Sequence, residues 1–222
     1  PVSRQDDAII ALLAGILLAA SCRGTVPERN APPEQAISAI LIGCKTILPS
    51  GETRNGRIIV NFESEGGRQG EVYRLPLTAG ENYLYLLEPG IYRLAPTRSI
   101  FGFYHAVMNV VIEGRTYTLP FPRDLLRQHA YEIKPGKIVS LGSLEAKVMP
   151  ALPGQKPTIR VRLDDSPQAR RNVVQSTIHD MMDPRKSTEV RESALAWSRA
   201  LQNNLMELLA EDEQRQLYKP AQ

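Results

Sequence analysis

Cysteine is scarce in this chain of 222 residues: there are two, Cys22 and Cys44. At most one internal disulfide can form, so stability has to come from packing rather than covalent staples. Histidine is scarce as well, and His105, His129 and His179 stand far apart. No C-x-x-C or H-E-x-x-H spacing accompanies them; His179 and Asp183 stand four apart on a predicted helix, but two ligands do not make a metal site. No G-x-S-x-G elbow occurs. The glycine-rich piece ESEGGRQGE, Glu63 to Glu71, lacks the closing Gly-Lys-Ser/Thr of a phosphate loop and precedes a strand pattern, so it reads as a hairpin loop. An excess of one charge is also missing. Lysine and arginine number 27 against 24 acidic residues, a net charge of +3 with the two signs interspersed. Nucleic-acid binding needs a clustered basic stripe with interleaved aromatics, and Arg170-Arg171 is only a local pair. The expectation is no nucleic-acid partner, no metal, no cofactor and no enzymatic activity.

Long apolar runs are missing too. The run from Ala8 to Ser21 holds fourteen uncharged residues, whereas a membrane-crossing helix needs about 20. It matches the apolar region of a secretory signal, about 7 to 15 residues followed by small side chains. Here those are Ala19, Ala20 and Ser21, with Cys22 next. A packed amphipathic helix would be apolar on one side, yet Ile9, Ile10, Leu12, Leu13, Ile16, Leu17 and Leu18 go all round. The segment LAASC resembles the lipobox of bacterial lipoproteins. That resemblance implies a signal peptide over residues 1–21, cleavage before Cys22, and lipidation of its sulfur. Cys22 would then hold the protein to a membrane. Arg23 stands where an aspartate would resemble an inner-membrane retention signal, so the resemblance implies the outer membrane of a bacterial cell envelope. Plain secretion and a helix packed on the domain are the alternatives. Residues 22–36 are polar with prolines at 27, 32 and 33, a composition for an extended tether. Cys44, in the apolar run SAILIGCKTIL, reads as a buried, unreactive thiol.

From residue 37 to 165 the pattern is one of short β-type runs. SAILIGCKTI, GRIIVNFES, EVYRLPLT, NYLYLL, IYRLAPTRS, AVMNVVIEG, TYTLPF, AYEIK, KIVSLGSLEAKV and TIRVRLDD are the candidates. Turn signals separate them at intervals of about 8 to 12 residues, which predicts an antiparallel β-sandwich. In TIRVRLD, Ile159, Val161 and Leu163 face one way and the arginines the other. LLEPGIYRL and YEIKPGKIVSL each place Pro-Gly between strands, predicting type II turns within one sheet system. These motifs resemble the transthyretin or carboxypeptidase-regulatory type of β-sandwich, a structural and binding module without catalytic residues. Tyr83, Tyr85 and Tyr92, with Phe101, Phe103 and Tyr104 in SIFGFYHAV, either fill the core or form a ligand-binding surface.

Residues 166–218 read as a two-helix extension. Ser166 suits an N-cap and Pro167 the first helical position, with Asp164-Asp165 ending the strand before them. Val174, Ile178 and Met181 form a stripe on the first helix. The second helix runs from about Thr188 to Leu217, with Val190, Ala194, Trp197, Leu201, Leu205 and Leu208 on one side. Thirty residues span about 45 Å, so part of this helix is expected to project. Its stripe, with the chain's only tryptophan, either packs on the sandwich or meets a protein partner or second copy. The fold class expected is mainly β, a sandwich with a C-terminal two-helix extension. The expected role is a non-enzymatic scaffold of an envelope complex, contacting its partner through Trp197, Leu201, Leu205 and Leu208. The alternatives are a ligand-binding or adhesin-type surface lipoprotein using the sandwich loops, and a hydrolase with an unrecognised site.

Overall fold

The computed structural model of the protein describes residue 27 and residues 38–65, 72–96, 106–126, 130–151, 157–185 and 187–217. Its strands are β1 (Ser38–Ile47), β2 (Gly56–Ser64), β3 (Val72–Thr78), β4 (Asn82–Leu87), β5 (Gly90–Ala95), β6 (Val107–Ile112), β7 (Arg115–Pro120), β8 (Tyr131–Ile133), β9 (Ile138–Val148) and β10 (Ile159–Asp164). Three helices join them: α1 (Arg123–Leu126), α2 (Pro167–Met181) and α3 (Thr188–Leu217). Each of the ten runs read as a strand forms one. The protein is mainly β, with two sheets and C-terminal helices.

A four-stranded sheet has the order β10-β9-β1-β4, and a six-stranded sheet the order β7-β6-β2-β5-β8 with β3 on the far edge of β2. Between them lies one core, with Ile40, Ile42, Tyr85 and Leu144 from the first sheet meeting Ile58, Phe62, Leu77 and Val110 from the second. The outer face of the four-stranded sheet is covered in turn by α2 and α3, through Ala39, Leu41, Leu84, Val173, Val174 and Trp197. The result is three layers, sheet, sheet and helix pair. β1 therefore has both faces buried, which is why its sequence is a continuous apolar run instead of an alternating one.

Two features differ from the sequence expectation. The sandwich is antiparallel except for β1 and β9, which pair in parallel. The Pro-Gly motifs do not turn within one sheet; each carries the chain from one sheet to the other, β4 to β5 and β8 to β9. Only the second is the expected turn. Gly136 has φ 68, and Lys137 N donates to Lys134 O at 3.1 Å. Gly90 is already strand, paired with Ile133. Pro-Gly presets a reversal, but which sheet receives the outgoing strand depends on where its apolar face finds cover.

The second sheet has a divided edge. On one side β2 pairs β3 along its length; on the other, Asn61–Ser64 pair with β5 and Gly56–Ile59 with β6. β5 and β6 thus lie end to end along the same strand, and Asn61 Nδ2 donates to Pro96 O at 3.1 Å where the chain leaves β5. Phe121 and Leu125, at and beside α1, fill the core between the sheets, with α1 contacting both β5 and β10.

β9 holds a bulge. Leu41 faces Ser140 and Ile42 faces Gly142, leaving Leu141 without an opposite number. The extra residue inverts the alternation: Ile138 joins the helix-side core before it, while Leu144 and Ala146 join the inter-sheet core after it. Gly142 has φ 88, and a Cβ there would collide with the Asp164 carbonyl oxygen. Gly142→Ala is expected to cost about 2–4 kcal/mol. A fall in the urea midpoint at unchanged m would report it. Cys44 lies in the inter-sheet core, where burial pushes its thiol from 9.0 up to about 12. The unfolded chain releases this proton first, so the stabilisation holds below about pH 9 and is lost as pH rises toward about 12. Denaturation measured across that range should show a decline that is shallower in Cys44→Ala.

Candidate functional site

The β9 bulge, the end of β10 and the start of β8 meet beside the first turn of α2. Asp164 Oδ1 accepts from Ser166 N at 3.2 Å, which ends the strand. Ser166 Oγ then accepts from Ala169 N at 3.2 Å as the helix cap, and Pro167 occupies the first turn. One turn on, Arg170 is stitched to the bulged strand: its Nε donates to Ser140 O at 2.9 Å, while Ser140 Oγ donates to Arg170 O at 3.0 Å. Its Nη1 reaches Glu211 of α3 at 3.2 Å.

These residues bound an open cleft of about 310 Å³, lined by Tyr131, Val139, Ser140, Leu141, Asp165, Ser166, Pro167 and Arg170. That volume is at the lower end of small-ligand sites. Burial, then the Asp165 carboxylate, pushes the Tyr131 phenol up to about 12, with Arg170 opposing. Tyr131 is therefore a neutral hydroxyl at physiological pH. The cleft offers hydrogen-bond donors and acceptors held by three different elements, with Val139 and Pro167 as its partly exposed apolar lining.

The stripe on α3 has another role. Trp197, Leu201 and Leu208 are each 1% exposed, and Leu205 packs partly buried beside them against Leu41, Leu84, Val173 and Val174. Of the two alternatives for this stripe, packing on the sandwich describes what these side chains do. Asn204, unrecognised in the sequence as part of this face, is buried among them, and its Nδ2 donates to Ile138 O at 2.8 Å. The available signal was a polar residue interrupting an apolar stripe. Ion pairs extend the join: Lys137 with Glu207 at 2.6 Å, and Arg171 with Asp212. Before Trp197 the side chains of Arg191, Glu192 and Leu195 are exposed, while those of Val190 and Ala194 of the expected stripe lie outside the described residues. Among the described side chains of α3, Leu195, Met206 and Leu209 are the large apolar residues left exposed. No described helix is long and apolar enough to cross a membrane.

Cys22, Phe101, Phe103 and Tyr104 lie outside the described residues, as do His105 and His129. Tyr83, Tyr85 and Tyr92 fill the core: Tyr83 stacks on Tyr85 at 5.4 Å and Tyr92 on Phe62 at 5.2 Å. Their hydroxyls are satisfied inside, Tyr85 donating to Pro76 O at 2.9 Å and Tyr92 to Glu88 O at 2.9 Å. His179 is exposed in the last turn of α2, and Asp183 is bound by Arg185 Nη2 at 2.7 Å. Among the described residues no three His, Cys, Asp or Glu side chains gather as a metal site. Trp197→Ala is expected to cost about 3–5 kcal/mol, seen as a lowered denaturation midpoint. In the native protein the single indole should emit as a buried fluorophore and resist quenching by iodide.

No family model matches the chain, and no curated protein matches it. Among solved structures it is similar to a candidate cell adhesion protein from Bacteroides ovatus, at 12% identity and a TM-score of 0.22. The match covers 57% of this chain and 44% of that one, so it spans less than half of the neighbour's length. A likeness of that extent assigns neither fold nor function.

Proposed function

We propose that this protein is a lipid-anchored module of the bacterial cell envelope that binds a ligand without transforming it. The observation that carries the reading is the cleft beside α2. Its polar groups are a neutral phenol, an arginine paired with Glu211, a carboxylate, and the serines Ser140 and Ser166. Such a set supports recognition of a ligand. The α3 stripe, being spent on the protein's own sheet, supports a ligand-binding role over a scaffold role through Trp197, Leu201, Leu205 and Leu208. A scaffold role keeps one support, the exposed Leu195, Met206 and Leu209 on α3. The anchor rests on the lipobox-like LAASC and its Cys22, and more than one acyl chain is needed for stable attachment.

Intact mass of the protein purified from its native membrane, beside a Cys22→Ala variant, tests this. A chain beginning at Cys22 with added acyl mass, lost in the variant, is the expected result. An unmodified chain still carrying residues 1–21 would remove the anchor. A protein partner that co-purifies, and is lost when Leu195, Met206 and Leu209 are made polar, would favour the scaffold role.

A further inference from the structure

We infer that the uncovered end of the four-stranded sheet, where Lys45, Lys147, Arg160 and Arg162 stand together, docks on an anionic lipid surface. The cleft plays no part in this. The inference rests on the membrane-anchored reading only for the nearness of such a surface.

Register brings the four cations onto one face. Cys44, Leu144, Ala146, Ile159, Val161 and Leu163 point into the inter-sheet core. Lys45, Glu145, Lys147, Arg160 and Arg162 alternate with them and share the opposite face. Opposite Glu145 lie Lys45 on β1 and Arg162 on β10, and opposite Lys147 lies Arg160. With strands about 4.8 Å apart and same-face residues about 6.6 Å apart along each, the five charges fall within roughly 10 by 7 Å. Val173 of α2 covers Gly43, and past that point the sheet is bare: all four cations are exposed.

Their charge is not answered within the fold. Glu145 is buried and taken by Arg162, whose Nε and Nη2 reach its Oε2 at 2.9 and 2.8 Å. Asp164, beyond Arg162 on β10, accepts from Ser166 N. Among the described residues, Lys45, Lys147 and Arg160 have no carboxylate partner. The five groups carry a net +3, equal to that of the whole chain. Arg160 directly opposite Lys147 is an arrangement that destabilises a sheet. Cations on an edge strand guard against edge-to-edge pairing, and β10 is an edge. That accounts for Arg160 and Arg162. Lys147 and Lys45 stand on the interior strands β9 and β1, where no such guard is needed. An opposing anionic surface turns this repulsion into attraction.

Shape selects the kind of anion. The face is the flat side of a sheet, and neither the cleft beside α2 nor the small pocket at Gly136 and Asn204 includes any of the four cations. β1, β9 and β10 carry no aromatic side chain, so the patch lacks the stacking platforms of a single-stranded nucleic-acid site. A plane of headgroup phosphates meets all four long side chains at once, each adding to the attraction within a Debye length of the surface. One acyl chain holds a protein only marginally, and a polybasic patch is one of the second signals that make attachment stable.

The test is co-sedimentation of the full, unacylated chain with vesicles of phosphatidylcholine alone and of phosphatidylcholine mixed with phosphatidylglycerol, at low and high NaCl. The anionic vesicles should be preferred, and the preference should vanish at high salt. The apolar run near the N-terminus meets both vesicle types alike and cancels in the comparison. Lys147→Gln should weaken binding about fivefold, and Lys45→Gln, Lys147→Gln and Arg160→Gln together about 100-fold, with thermal unfolding no lower than the parent's. Arg162 is kept, because without it Glu145 would be buried unpaired. The comparator Arg57→Gln, Arg74→Gln and Arg115→Gln removes the same charge from exposed positions on the second sheet, and should bind as the parent does. The inference is overturned if anionic lipid is not preferred, if the patch variants bind as the parent does, or if the two triple variants lose affinity equally. Binding of soluble polyphosphate without binding of the vesicles would also overturn it. Each of these outcomes leaves the anchor at Cys22, which intact mass decides, and the cleft as they stand.

Discussion

Burial of β1 on both faces is the constraint on which the rest of the structure depends. Ile40, Ile42 and Cys44 point into the inter-sheet core while Ala39 and Leu41 point to the helices. A strand with no solvent face needs two covering layers, so the sheet that contains it cannot be the outer wall of a simple sandwich. α2 and α3 supply the second cover. The C-terminal segment that looks like an extension in the sequence is thus part of the core, and the tryptophan on it is among the most buried side chains.

The same arrangement explains why polar contacts are concentrated at the helix layer. Apolar packing of helices on a sheet is poorly directional, and a helix can slide by a turn at small cost. Here Asn204 to Ile138, Ser140 to Arg170, and the pairs of Arg170, Arg171 and Lys137 with α3 acids hold one register. Asn204 and Ser140 are buried, and the bonds made by Asn204 Nδ2 and Ser140 Oγ offset part of their desolvation, whereas the Lys137–Glu207 pair stays half exposed. The cleft is a by-product of this stitching. Ser140, on the helix side of β9 like Ile138, is bonded to Arg170 of α2, and the cleft lies beside this join.

Much was legible beforehand because local patterns carry it. TIRVRLD alternates as a half-covered edge strand does, and the strand boundaries of SAILIGCKTI, GRIIVNFES and NYLYLL coincide with β1, β2 and β4. Ser166-Pro167 marked the start of α2 because capping is a matter of three or four consecutive residues. What escaped was of longer range. Gly142 interrupts the run Val139 to Leu144, but that run does not say that a glycine is needed there, since the need arises from the Asp164 carbonyl of the neighbouring strand lying against it. The cleft residues come from three separate stretches, and none of them forms a motif alone.

By itself the sequence determined the ten strands, the two long helices, the buried Cys44 and the helix cap, all set by side-chain periodicity and backbone preference over a few residues. Only the tertiary structure decided that β1 and β9 run parallel, that the Pro-Gly links change sheets, and that the α3 stripe faces inward. It also decided that Tyr131, Asp165 and Arg170 share a cleft. The physical reason is that burial is a property of the whole chain: which apolar face covers which, and which polar groups are left at the seams, depends on segments a hundred residues apart coming together.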